Sequence, residues 1–250
     1  PQVSFTTRGK TLIMNTFLHV GCGPKHKDQT TRGFNTPEWT ELRLDIDQNV
    51  NPDIVGTMMD MLAVADASVD AVFSSHNIEH LYPHEVPLVL KEFLRVLRPD
   101  GFTVITCPDL QAVCALVADD KLTETAYISP AGPIAPLDIL YGHRPPMARG
   151  NLFMAHRCGF TQKVLIGTLQ GSGFATVAAM RRGHPCYDLW GLATKAALDE
   201  AALRDLAKVQ ARREWPTRVT QRLQMAVHDR VLVRVLQSKQ ALNPPLVVRL

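Results

Sequence analysis

No apolar stretch of this sequence approaches the roughly 20 residues that a bilayer-spanning helix needs, and no two of its cysteines form a CxxC pair. The five cysteines, Cys22, Cys107, Cys114, Cys158 and Cys186, are odd in number and widely spaced, which argues against a disulfide framework and against a zinc site. Low-complexity segments are lacking as well. The early run TLIMNTFLHV is broken by Asn15 and has no small-residue cleavage site. A signal peptide is therefore not expected, and a reducing cytoplasm fits the cysteine usage. A strong charge of one sign is also missing: the net charge of +3 is too small to argue for nucleic acid. That charge is uneven, with net +5 from Asp199 to Leu250 and −2 before it.

What is present reads as a folded chain. With 46% hydrophobic residues, 250 positions suffice for one sizeable α/β domain and an appendage. Short apolar runs recur at Phe17–Val20, Leu42–Ile46, Asp53–Gly56, Val69–Ser75 and Gly101–Asp109, with the brevity of buried parallel strands. Between the last two, Val86, Val89, Leu90, Phe93, Leu94 and Leu97 recur at helical spacing, which predicts a helix over about 84–98 stopped by Pro99 and Gly101. Strands alternating with helices call for a parallel sheet with right-handed crossovers.

From about 119 to 157 five prolines punctuate a stretch of little periodicity, read as an irregular, lid-like segment. FTQKVLIGTLQGSGF then predicts a helix with Thr161 as its N-cap, an apolar stripe of Val164, Leu165 and Leu169, and Gly171 and Gly173 at its end. The stretch 175–195 reads as an edge hairpin. Two amphipathic helices are expected at about 199–214 and 217–236, forming a helical extension over 198–250 behind a domain of 1–197. That pair needs a surface to cover: this domain, a second copy of the chain, or a domain outside this sequence.

The run FLHVGCGPKHKDQ ends a strand on Gly21-Cys22-Gly23. Absent side chains let a ligand approach the backbone, at the strand ends where open α/β sheets bind ligands. Asp45, with Asp47 as the near alternative, ends the next strand about 20 residues on, where an acid binds a ribose diol. The turn lacks the third glycine of a phosphate-binding loop, and Pro24 removes an amide donor. Both points disfavour a nicotinamide dinucleotide and favour an adenosyl ligand without phosphate.

The order LHVGCG, LRLDID, MMDM, VDAVFSSHNIEHL, VLKEFLRVLRPDGFTVITCPD resembles the class I S-adenosylmethionine-dependent methyltransferases. It is most similar to the methyltransferase-type-eleven group and its LHLGCG members, over roughly 17–195. The resemblance implies a Rossmann-like, seven-stranded, mostly parallel sheet with an antiparallel last strand and helices on both faces. It implies S-adenosylmethionine as cofactor and S-adenosylhomocysteine as product. By position, Gly21 and Gly23 would face the methionine part and ribose, with His19 and Cys22 in the same loop. Asp45, followed by Ile46, would bind the ribose, Asp60 would accept from the adenine amino group with Met61 beside the ring, and Ser75, His76 and Asn77 would line the floor. His19 and Lys25 depart from the commoner residues, and the stretch 24–39 is an insertion.

For catalysis, His76 and His143 are the candidate bases. Glu79 and His80 read as architecture, His156 as a second loop histidine, and Arg144, Arg149 and Arg157 as possible holds for an anionic substrate. No ligand spacing supports a metal among His143, His156, Cys158 and His184, so none is expected. The expected reaction is methyl transfer to a hydroxyl or other nucleophile of a small-molecule or glycan-like acceptor. The alternative is a methyltransferase-like fold serving as a non-catalytic partner or scaffold.

Overall fold

The computed structural model describes residues 4–7 and 10–210. A small antiparallel pair, β1 (Ser4–Thr7) and β2 (Lys10–Ile13), precedes the main sheet. That sheet holds β3 (Asn15–Val20), β4 (Trp39–Asp45), β5 (Ile54–Val55), β6 (Val69–Ser75), β7 (Leu97–Pro108), β10 (Thr176–Arg182) and β11 (Asp188–Thr194), in the order β10-β11-β7-β6-β3-β4-β5. β3 to β7 run parallel, and β11 is antiparallel to both of its neighbours. The expected seven-stranded sheet with an antiparallel last strand is therefore present.

Between β6 and β7, α1 (Val86–Val96) buries Val86, Val89, Leu90, Phe93 and Val96, the face its sequence period marks. It shares one side of the sheet with α5 (Gln162–Ser172), whose Leu165 and Leu169 are buried while Val164 is exposed. Thr161 caps α5 through the Val164 amide, and Gly173, at φ +112°, closes it. Gly171 lies inside the helix instead of ending it. Nor is RPDG a stop followed by a turn. β7 starts at Leu97, and the pairing jumps from Val69↔Leu97 to Ala71↔Phe102, so Arg98–Gly101 bulge out of the ladder. A Cβ on Gly101 would lie 3.1 Å from the Asp70 carbonyl, so close approach demands this glycine.

The opposite face departs most from simple alternation. No helix joins β3 to β4: residues 21–38 form turns and one short 3-10 turn, Lys27–Gln29. Phe34 from this segment plugs the sheet, stacked on Phe17 at 4.3 Å and edge-on to Trp39 at 5.0 Å. Beside it α6 (Glu200–Val209) buries Leu203 in the same cluster. Just after α6, the buried Gln210 accepts from Thr31 Oγ1 at 2.5 Å, so 200–210 are packed into the sheet domain. The helix expected over 217–236, and any contact between copies through it, lies outside the described residues.

The segment 119–157, expected to be irregular, carries structure. Behind α2 (Leu110–Ala118) come a hairpin of β8 (Tyr127–Ser129) and β9 (Gly132–Ile134), then α3 (Pro136–Tyr141) and α4 (Arg144–Ala148). Pro136 and Pro145 occupy the first turns of these helices, where no intrahelical amide bond is lost. Two of the prolines that read as breakers are starters.

Candidate active site

Gly21, Cys22 and Gly23 leave the end of β3 with their amides already engaged. Gly21 N and Cys22 N donate to Leu44 O at 2.8 and 3.2 Å, Gly23 N donates to Asp45 Oδ2 at 2.7 Å, and Lys25 N donates to Cys22 O at 3.2 Å. Pro24 has no amide hydrogen, so no donor of this turn remains for a phosphate. Both glycines have positive φ, +61° and +52°. A side chain on Gly21 would collide with the Asn77 carboxamide, whereas nothing lies within 4 Å of a Cβ on Gly23.

Asp45 ends β4 with Oδ2 on Gly23 N and Oδ1 on Asp47 N at 2.9 Å. Each carboxylate oxygen has two lone-pair directions, so capacity for a diol is left. Ile46 is 49% exposed, an apolar surface of the kind a flat ring covers. Asp60 is exposed and accepts from Leu62 N at 3.2 Å. Met61 points the other way, 1% exposed and packed in the core with Leu44 and Val64. Leu62, 82% exposed, is the open apolar side chain next to Asp60. An open glycine, an acid with spare acceptor capacity and exposed aliphatics fit an adenosyl group without phosphate.

His19 stands apart from this cradle. It is buried below the turn, with Nδ1 2.7 Å from Glu41 Oε1 and its ring edge-on to Phe73. Glu41 Oε2 accepts from Lys27 N at 2.9 Å, so His19 anchors the insertion. Cys22 is buried too; desolvation pushes its thiol up to about 11, with Arg43 opposing. Ser75 Oγ shares a 2.8 Å hydrogen bond with Thr106 Oγ1 across β6 and β7.

His76 follows β6 in a left-handed conformation, φ +57°, one that costs about 1–2 kcal/mol for a residue with a Cβ. Its Nδ1 is 3.3 Å from Glu79 Oε1 and its Nε2 3.7 Å from Asp188 Oδ2. Burial works against charging the ring, but Asp188 and Glu79 prevail and raise its pKa to about 9. The two carboxylates favour the protonated ring, in which both nitrogens are donors. Asp188 is itself held by Arg182, with Nε to Oδ1 at 2.7 Å and a second bond from Nη2 to Oδ2.

A cavity of about 230 Å³ opens beside His76. Glu79, His80, His143 and His156 line it together with Tyr127 and Tyr187. Burial pushes the Tyr127 phenol up to about 12, so it stays protonated. His156 is lowered, chiefly by burial. Arg144 is bound to Asp138 at 2.6 Å and Arg157 stacks over Tyr82 at 4.8 Å, so neither is a spare cation for a substrate. The structure brings His76, His143 and His156 together. His184 and Cys158 do not line the cavity. Sequence reasoning missed Asp188, Arg182, Tyr127 and Tyr187. A charged residue opening the apolar run DLWGLAT was the available signal for Asp188.

Residues 18–105 match a family model described as a methyltransferase domain, Methyltransf_11. No curated protein matches the chain. Among solved structures, the chain is similar to the Burkholderia thailandensis 1,6-didemethyltoxoflavin-N1-methyltransferase with bound 1,6-didemethyltoxoflavin and S-adenosylhomocysteine. The two share 16% identity over 74% of this chain and 72% of that one, with a TM-score of 0.48. It is also similar to a SAM-dependent methyltransferase from Methanosarcina mazei, with 15% identity, 74% and 94% coverage and a TM-score of 0.48. Among the described residues no helix is long and apolar enough to cross a membrane. LHVGCG, LRLDID and VDAVFSSHNIEHL all lie inside the matched segment, so residues 18–105 are similar to a methyltransferase domain.

Proposed function

We propose that this chain is an S-adenosylmethionine-dependent methyltransferase that carries a methyl group to a hydroxyl or other nucleophile of a small-molecule or glycan-like acceptor seated in the cavity beside His76. The observation behind this reading is that the cavity adjoins the residue following β6, at the same sheet edge as Gly23 and Asp45. A volume of about 230 Å³ suits a small ring, and Tyr127 and Tyr187, with ring centroids 6.5 Å apart, offer it flat walls. In this reading Gly23, Asp45, Ile46 and Asp60 hold the donor, with Leu62 taking the place beside the ring that Met61 leaves empty.

The bound donor supplies an electrophilic methyl on a sulfonium sulfur. The chain's own task is to align the acceptor in line with that methyl and to exclude water. His76, fixed between Asp188 and Glu79, donates a hydrogen bond that orients the acceptor. His143, at the N-terminus of α4 and on the cavity wall, takes a proton where the nucleophile carries one. The catalytic unit extends through 210, since α6 covers the sheet.

Calorimetric titration with S-adenosylhomocysteine tests the donor half. Wild type should bind it, Asp45→Ala should lose most of the affinity, and NAD should not bind. Unchanged affinity in Asp45→Ala would show that the ribose lies elsewhere.

A further inference from the structure

We propose that Glu79, His80 and His156 form a binding site for one divalent transition-metal ion in the wall of the cavity. One coordinating atom from each residue lies within 4.8 Å of the other two. Nδ1 of His80 is 3.1 Å from Ala155 O, and Nδ1 of His156 is 2.8 Å from Ile139 O. A carbonyl only accepts, so in each neutral ring Nδ1 carries the hydrogen and Nε2 keeps the lone pair. Backbone carbonyls fix metal-ligating histidines in this way.

Glu79 supplies the second, independent observation. Its side chain is 1% exposed, yet its carboxylate has no polar neighbour closer than the His76 ring. His76 Nδ1 faces Oε1 at 3.3 Å, and Oε2 is left without a partner. Buried carboxylates are normally satisfied, so a buried carboxylate oxygen without a partner, in a cluster with two imidazoles whose ligand atoms lie within 4.8 Å of its own, points to a site for a cation beside His76.

The three residues are held together from both sides. Arg157 N and Cys158 N donate to Glu79 O at 2.8 and 3.2 Å, and His156 N donates to Tyr141 O at 3.2 Å. Bonds of about 2.1 Å to a tetrahedral ion set ligand atoms roughly 3.4 Å apart, so the side chains close by about an ångström on binding. Two imidazoles and one carboxylate suit zinc, iron(II), cobalt or manganese better than calcium or magnesium, which prefer all-oxygen sets. Three protein ligands leave coordination positions for a water or a ligand oxygen. That those positions hold the acceptor rests on the function proposed above; metal binding itself does not.

The test is titration of the chelator-treated full chain with Zn2+ by calorimetry and with Co2+ by visible absorption. S-adenosylhomocysteine affinity is measured in parallel, so that failure of the donor reading stays distinct. Wild type should bind one ion. His80→Ala and His156→Ala should each weaken binding at least about 100-fold, Glu79→Gln should weaken it too, and His84→Ala at the surface should not. Absence of stoichiometric binding, or binding that both histidine variants leave intact, would overturn the proposal. Should those variants fail to fold, Mn2+ broadening of wild-type imidazole resonances decides. Selective broadening of two histidines besides the neighbouring His76 supports the site; broadening confined to exposed histidines overturns it.

Discussion

Asn77 fills the space that a side chain on Gly21 would need, and its Nδ2 donates to Val20 O at 2.9 Å and to Ser75 O at 3.2 Å. The two glycines of the turn therefore answer to different demands. Gly21 is small because a neighbouring side chain ties the ends of β3 and β6 together there. Gly23 is small in front of open space, with its amide on Asp45, and is the position proposed to face the donor.

Alanine substitutions separate the two. Gly23→Ala meets only the cost of a left-handed residue, about 1–2 kcal/mol. Gly21→Ala adds displacement of Asn77 and should cost at least about 1 kcal/mol more through the bonds broken. Urea denaturation gives the ranking. Calorimetry with S-adenosylhomocysteine should show Gly23→Ala weakening binding in a protein that is still folded. Equal destabilisation by both would refute the division of roles.

The parts of the fold written in local periodicity were legible. α1 announces itself by apolar residues three and four apart, and β6 and β11 by short runs that end on polar residues. The plug at Phe34 was not, because residues 24–38 carry no period and its partners Phe17, Trp39 and Phe102 meet it only in the folded sheet. Prolines misled at 136 and 145 because the same residue breaks a helix interior and opens a helix. The place of Asp45 at the end of β4, beside the glycine turn, was readable from spacing. The charge on His76 was not, since Asp188 reaches it from the far hairpin. The inward turn of Met61 was hidden for a related reason: nothing local says which of Met58, Met59, Met61 and Leu62 faces the core.

Arg182 and Asp188 form a buried bidentate pair behind His76. Removing one partner strands the other's charge. Arg182→Leu should therefore cost about 3–5 kcal/mol, and adding Asp188→Leu should recover a large part of that loss. A double-mutant cycle in urea measures it. Additive losses would mean that the pair contributes little beyond its packing.

Lys195, just past β11, reaches back to the end of α1, where Nζ donates to Leu94 O and Leu97 O at 2.7 Å each. A cation there satisfies terminal carbonyls and complements the helix dipole. Lys195→Met keeps the apolar stem and removes both bonds, for an expected loss of about 1.5–3 kcal/mol. Thermal unfolding gives the value, and Lys195→Arg should restore part of it. A neutral Lys195→Met would show that water satisfies those carbonyls equally well.

Asp138 joins the start of α3 to α4, with Oδ2 accepting from Ala135 N at 3.0 Å and Oδ1 from Arg144 Nε at 2.6 Å. Burial alone would raise its pKa, but Arg144 and the Ala135 amide outweigh it and hold the carboxyl below its usual range. A carboxylate depressed in the folded state contributes stability that is fully present above its unfolded pKa, about 3.9. That contribution is lost as pH falls through the lower, folded value. Arg144 is half exposed, so solvent screening keeps the effect small. Asp138→Asn should be less stable than wild type by about 1 kcal/mol at pH 7, and the gap should narrow at pH 3, below the unfolded value, where the carboxylate's contribution is being lost. Urea curves at the two pH values read the difference. A gap that widens on acidification would mean that the carboxyl is stabilised in its neutral form, reversing the assignment of Arg144 as its partner.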